Sequence, residues 1–148
     1  MNIGIIGIGN MGRNHLRVCR KLENTLTGFN VTAIYDPAVK DYDNKESFLN
    51  KVPDLHGVIV ATPSDTHVEI CLELLKINSD LKILVEKPID DDLAKVALLA
   101  PYEENITVGH IERFNPSVRK LKALIDSKAV TEINTIRTRR LNHTTSRS

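Results

Sequence analysis

Five short apolar runs, each followed by a stretch with helical periodicity, constrain this chain more than any single motif does. The runs are Asn2 to Ile6, "NVTAIYD" (30–36), "HGVIVAT" (56–62), "KILVEKP" (82–88) and "NITVGH" (105–110). Between them, Gly12 to about Leu26 carries Leu16, Val18, Cys19 and Leu22 at helical spacing. Residues 64–78 place Val68, Cys71, Leu72 and Leu75 on one stripe, with Ser64, Asp65 and Thr66 as capping residues. A short helix is expected near Lys45 to Lys51. Another is expected from Asp90 to Ala100, its three leading aspartates forming a solvated cap at the positive end. "NPSVRKLKALI" (115–125) starts a fifth helix with Asn115 at N-cap and Pro116 at N1. Alternating apolar strands and amphipathic helices predict an α/β fold, a doubly wound parallel sheet covered on both faces.

Composition narrows the function classes. A net charge of +1 gives no electrostatic reason to expect nucleic acid or an anionic membrane as partner. The longest apolar runs fall short of the ~20 residues that a membrane-spanning helix needs. Residue 2 already reads as strand, so no signal peptide is expected and the location is read as cytoplasmic. Cys19 and Cys71 lie on apolar helical stripes and read as buried reduced thiols. No metal site is expected: His67 and Glu69 point to different helix faces, and neither cysteine has a histidine at zinc-like spacing.

Doubly wound sheets bind ligands at the carboxyl ends of their strands. The polar residues with chemical potential fall there. Gly7 to Gly12 follows the first run, Asp36 ends the second, Thr62 and Pro63 end the third, Glu86 and Lys87 the fourth, and His110 the fifth. Gly7, Gly9 and Gly12 form G-x-G-x-x-G between a strand and a helix. Gly7 permits the sharp turn, Gly9 lets backbone approach a pyrophosphate, and Gly12 lets the helix pack close to the strand. Amides at the helix N-terminus then face the phosphates. Asp36 follows Gly12 by 24 positions, near the ~20-residue spacing of a dinucleotide site. Its carboxylate suits both adenosine ribose hydroxyls, and Pro37 offers no cation for a 2′-phosphate, so the cofactor expected is NAD rather than NADP. His15, on the same helix, is within reach of a bound cofactor, but packing against the sheet is its expected role.

Lys87 has two readings at this stage. In a closed, partly dehydrated pocket it can exchange a proton with a substrate hydroxyl. Otherwise it is a solvated lysine paired with Glu86. His110, Arg113 and Asn115, after the fifth run, are candidate substrate residues. Arg113 can clamp an anionic group or pair with a local carboxylate such as Glu112, and Asn115 can be no more than the helix cap.

"GIGNMG", "ATPSDTH", "EKP" and "GHIERFNP", in this order, resemble the Gfo/Idh/MocA oxidoreductases over about residues 2 to 140. The form "VGHIERFNP" is most similar to the UDP-N-acetylglucosamine 3-dehydrogenases and related nucleotide-sugar dehydrogenases of that family. The resemblance implies a Rossmann domain whose backbone at Gly7, Ile8, Gly9, Asn10, Met11 and Gly12 holds the pyrophosphate and whose Asp36 holds the adenosine ribose. Thr62, Pro63 and His67 would line the cofactor's path toward nicotinamide, and Glu86 would contact the nicotinamide-side ribose. Lys87 would be the active-site lysine, while Arg113 and Asn115 would face a sugar or nucleotide-sugar substrate.

Members of the family are roughly twice this length. The resemblance implies a second, α+β substrate domain, of which essentially none is expected within these residues. The division expected is a dinucleotide-binding domain over 1–128 and the start of a truncated domain over 129–148. That start would be one strand, "EINTIRTRR" (132–140), and a disordered tail. A lone strand must fray, dock on the first domain, or pair with another chain or a second copy. Three functions follow: the cofactor half of an NAD-dependent sugar dehydrogenase, a non-catalytic NAD-binding module or partner subunit, or, as the weakest, a cofactor-free structural remnant that uses the fold alone.

Overall fold

The apolar runs become five parallel strands: β1 (Asn2–Ile6), β2 (Asn30–Tyr35), β3 (Gly57–Val60), β4 (Lys82–Val85) and β5 (Ile106–Val108). The structure is a computed structural model and describes residues 1–139. The strand order is β2-β1-β3-β4-β5, every pairing parallel. The helices are α1 (Asn10–Glu23), α2 (Lys45–Lys51), α3 (His67–Ile77), α4 (Leu93–Ala97) and α5 (Pro116–Asp126). The expected doubly wound sheet is therefore the fold.

Side-chain alternation along the strands divides the core into two layers. Ile6, Val58, Val60, Ile83 and Val85 pack with Val68, Cys71, Leu74 and Leu75 of α3 and with Phe48 of α2. Ile5 and Ile59 pack with Cys19 of α1 and with Phe29, Val31 and Ile34 on the other face. All four residues of β3 are buried, as a strand covered on both sides requires. Each fully buried aliphatic side chain contributes about 1.5–3 kcal/mol relative to exposure.

Local signals place the helix starts. Asn44 accepts Ser47 N–H at 2.8 Å to start α2, and Asp92 accepts Ala94 N–H at 2.8 Å to start α4. Helix α4 is thus shorter than expected, and only part of the aspartate triplet is a solvated cap. The Asp90 side chain is fully buried, with Lys95 Nζ 3.9 Å from its carboxylate. The Asp92 amide holds its carboxyl below the usual carboxylate range.

Strands β3 and β4 stop before the ends of their apolar runs. The ladder continues through Ala61 N–H to Ile6 O (2.8 Å) and Glu86 N–H to Val60 O (2.9 Å). Pro63 and Pro88 then supply no amide to extend it.

The chain divides into two units, Met1–His110 and Ile111–Ser148. The boundary thus falls before α5, not at residue 128, because α5 has no buried residue. Asn115 caps α5 through Ser117 N–H at 3.0 Å, with Pro116 in the first turn. The strand expected over 132–140 is not formed across 132–139, where no neighbouring strand offers a ladder. Residue 140 and the tail "LNHTTSRS" lie outside the described residues. Among the described residues no helix is long and apolar enough to cross a membrane, and no cluster of His, Cys, Asp and Glu could hold a metal ion.

Candidate functional site

The winding of the sheet reverses at β1: β2 lies on one side of it and β3 on the other. The crevice at such a switch point, above the carboxyl ends of β1 and β3, is where this fold takes ligands. The three glycines meet there, each for a different steric reason. Gly7 has φ +87°, and a Cβ on it would lie 2.6 Å from Ala61 O. A Cβ on Gly12 would lie 1.8 Å from Gly7 O, so the helix can approach the strand only without one. A Cβ on Gly9 would meet nothing within 4 Å of protein. The fold itself does not require that third glycine.

Gly9 occupies the N-cap position of α1 and has no side chain to cap it. The amides of Asn10, Met11 and Gly12 are first-turn donors without an intrahelical acceptor, and Gly9, Asn10 and Met11 are exposed. That is a cradle for an anion. Ile8 differs from the expectation. Its side chain is buried and its amide already donates to Asp36 Oδ2 at 2.6 Å. Asp36 Oδ1 accepts Ala38 N–H at 2.8 Å. A carboxylate has about four lone-pair sites, so one on each oxygen stays open for a ribose hydroxyl. Arg13, which the sequence reading did not single out, donates from Nε to Ile8 O at 3.1 Å.

Around β4 the Glu86 side chain meets α1. Glu86 is 8% exposed, and its carboxylate pairs with His15 Nε2 at 2.7 Å instead of with the Lys87 ammonium. Lys87 donates only its amide to Glu86 Oε2, at 3.3 Å, and its side chain is exposed. His15 therefore does not simply pack on the sheet: it reaches the end of β4. Its signal was its place on α1, three residues after Gly12, on the helix face that meets the sheet.

His67 is 1% exposed, with Nε2 2.9 Å from Thr62 O and Nδ1 2.9 Å from Pro88 O. Both ring nitrogens are taken by main chain. The ring thus lies between the turn after β3 and the Lys87–Pro88 turn. The Thr62 hydroxyl lies 2.8 Å from that of Thr66, and Pro63 is exposed. Gly109 N–H donates to Val85 O at 2.8 Å, bringing the end of β5, with the exposed His110, beside Glu86.

Arg113 and Asn115 belong to the second unit. There Asn115 is the cap of α5 and also donates from Nδ2 to Glu112 Oε2 at 2.8 Å, while Arg113 is exposed. Both thiols are buried, and burial pushes Cys71 up to about 12.

The fold is shared with known proteins. The inositol 2-dehydrogenase of Corynebacterium glutamicum is 25% identical over 155 residues, covering 93% of this chain and 44% of its own length. The myo-inositol dehydrogenase of Lactobacillus casei, solved in complex with NAD(H) and myo-inositol, is 27% identical with a TM-score of 0.71, over 88% of this chain and 42% of that one. The UDP-N-acetylglucosamine 3-dehydrogenase of Acidithiobacillus ferrooxidans, 22% identical with a TM-score of 0.67, covers 83% of this chain and 42% of its own, and shares the fold. The nucleotide-sugar enzymes are thus not favoured over the inositol dehydrogenases. The chain spans less than half the length of these relatives. Residues 1–110 match the oxidoreductase family with an NAD-binding Rossmann fold, and the chain belongs to that family, the Gfo/Idh/MocA oxidoreductases.

Proposed function

We propose that this chain is the cofactor-binding half of an NAD-dependent dehydrogenase acting on a ring hydroxyl of a sugar, polyol or nucleotide-sugar. The observation that carries the proposal is the uncapped, exposed first turn of α1 beside the Asp36 carboxylate, which keeps two lone-pair sites open. Asn10, Met11 and Gly12 amides hold the pyrophosphate, with Gly9 admitting it. Asp36 holds the adenosine ribose, and its charge opposes a 2′-phosphate. Thr62 and Pro63 line the path toward nicotinamide, His67 holds that turn in place, and Glu86 meets the nicotinamide-side ribose.

Bound NAD supplies the hydride acceptor or donor. Lys87 exchanges a proton with the substrate hydroxyl: its neutral amine takes the proton as the alcohol is oxidised, and its ammonium returns it in the reverse direction. His110 orients the substrate at the end of β5, and Arg113, in the second unit, is suited by its chemistry to a phosphate or carboxylate. Asn115 acts through its hydrogen bond to Glu112. A UDP-N-acetylhexosamine is the substrate that the "VGHIERFNP" form favours, and an inositol-like polyol is the alternative that the relatives favour.

Fluorescence titration with NADH and NADPH tests the reading. Saturable NADH binding, at least about tenfold tighter than NADPH (~1.4 kcal/mol), is expected. Absence of NADH binding refutes it.

A further inference from the structure

The Glu86 carboxylate is held by residues from three elements. His15 on α1 approaches Oε1 to 2.7 Å, and the Lys87 amide, just past β4, approaches Oε2 to 3.3 Å. At the end of β5, a Cβ on Gly109 would stand 3.4 Å from Oε1 and 3.5 Å from Oε2, ordinary contact distance, so the backbone there lies against the carboxylate. A carboxylate this buried needs a donor. The amide contact is long, which leaves His15 as the principal one.

The strand register fixes where this happens. Ile6 pairs with Val60, and Val60 with Val85. Gly7 and Glu86 therefore leave the sheet at the same level, two strand spacings or about 10 Å apart. His15 bridges that gap from the helix whose first turn carries the glycine loop.

We propose that His15 is a positioning residue for Glu86. It holds the carboxylate toward the nicotinamide-side ribose and ties that half of the cofactor site to the phosphate-binding helix. With a proton on Nε2 the ring donates to Oε1 and removes the rotamer freedom of a three-torsion side chain. The proposal rests on the dinucleotide reading and deepens it. It gives His15 an effect on one half of the ligand only.

The test compares NADH, by fluorescence titration, with ADP, by calorimetry, on the full chain. ADP keeps the adenosine ribose and diphosphate but lacks the nicotinamide-side ribose. His15→Ala is expected to weaken NADH about tenfold and to leave ADP within about twofold. His15→Gln, which restores an N–H donor, should recover most of the loss. Glu86→Ala should match His15→Ala, and the double variant should bind no more weakly than Glu86→Ala alone.

Equal losses for NADH and ADP, no loss for NADH, or additive losses in the double variant would each overturn the proposal. If His15→Ala fails to fold by circular dichroism, His15→Phe fills the space without a donor and carries the same expectations. Wild-type chain that binds ADP but not NADH, or neither, removes the dinucleotide reading itself. Wild-type NADH binding with an indifferent His15→Ala removes this inference alone.

Discussion

Two alanine substitutions, at Gly9 and at Gly12, separate what the glycine loop does for the fold from what it does for a ligand. Gly9 has φ −70° and ψ −161°, a conformation open to any L-residue, and a Cβ there meets nothing within 4 Å. Alanine is a poorer N-cap than glycine by a few tenths of a kcal/mol or more. It also reduces unfolded-state entropy, worth about 0.4–1 kcal/mol in the other direction. The net change in stability for Gly9→Ala is expected within about 1 kcal/mol. If the loop holds a pyrophosphate against its backbone, however, the methyl group displaces it from one or two charge-assisted hydrogen bonds. At about 1.5–3 kcal/mol in total, NADH affinity falls by roughly tenfold to a hundredfold.

Gly12→Ala behaves differently. Its Cβ would lie 1.8 Å from Gly7 O, roughly 1.6 Å inside the 3.4 Å of ordinary contact. The clash is with backbone, so α1 must move away from the sheet. Overpacking of this kind costs at least about 3 kcal/mol. Urea denaturation followed by circular dichroism gives the stabilities, and NADH fluorescence gives the affinities. A Gly9→Ala chain that is as stable as wild type and binds NADH equally well refutes the assignment of the loop. A Gly12→Ala chain of wild-type stability refutes the packing argument.

Asp36→Ala removes the acceptor of the Ile8 and Ala38 amides. It should cost about 1–3 kcal/mol in stability and weaken NADH, whereas an unchanged dissociation constant contradicts the ribose role. Leu74, 1% exposed between α3 and the sheet, should lose about 2–5 kcal/mol on truncation to alanine, read from the denaturation midpoint. Burial pushes Cys71 up to about 12 from an ordinary value of 9.0, so the native thiol stays neutral where the unfolded one ionises. Unfolding then releases a proton, and stability should fall as pH rises from 9 to 12. A thiol reagent at pH 8 should leave Cys71 unmodified until the chain is unfolded, and rapid native-state labelling contradicts its burial.

The sheet was legible because its signals are local and repeated. β1 and α2 occupy the residues that the apolar pattern and composition marked, and β2 ends one residue short of the expected run. Errors arose where a segment's fate depends on a partner outside the segment. Thr62 and Pro88 belong to apolar runs, yet the ladder ends before them because proline has no amide to lend. "EINTIRTRR" has the β-branched content of a strand, but content cannot supply a neighbouring strand, and residues 132–139 remain irregular. Asp90 sits in a run of aspartates that reads as solvent-facing, and only the folded turn shows its carboxylate enclosed near Lys95.

The candidate site divides in the same way, and the division explains which contact was missed. The glycine loop and Asp36 follow a spacing rule that one βαβ unit encodes, so sequence alone finds them. The His15–Glu86 pair spans 71 residues and requires the order β1-β3-β4 before it can be inferred. Gly12 must face the sheet, because a side chain there would strike Gly7. Residues three, four and seven positions on share that face of a helix: His15, Leu16 and Cys19. Leu16 and Cys19 enter the apolar layer against β1 and β2. His15, nearest the carboxyl ends of the strands, meets the polar residue at the end of β4. A histidine three positions after the last glycine of such a loop thus has its direction fixed by the glycine that precedes it. The identity of the acceptor it finds is then a matter of strand order.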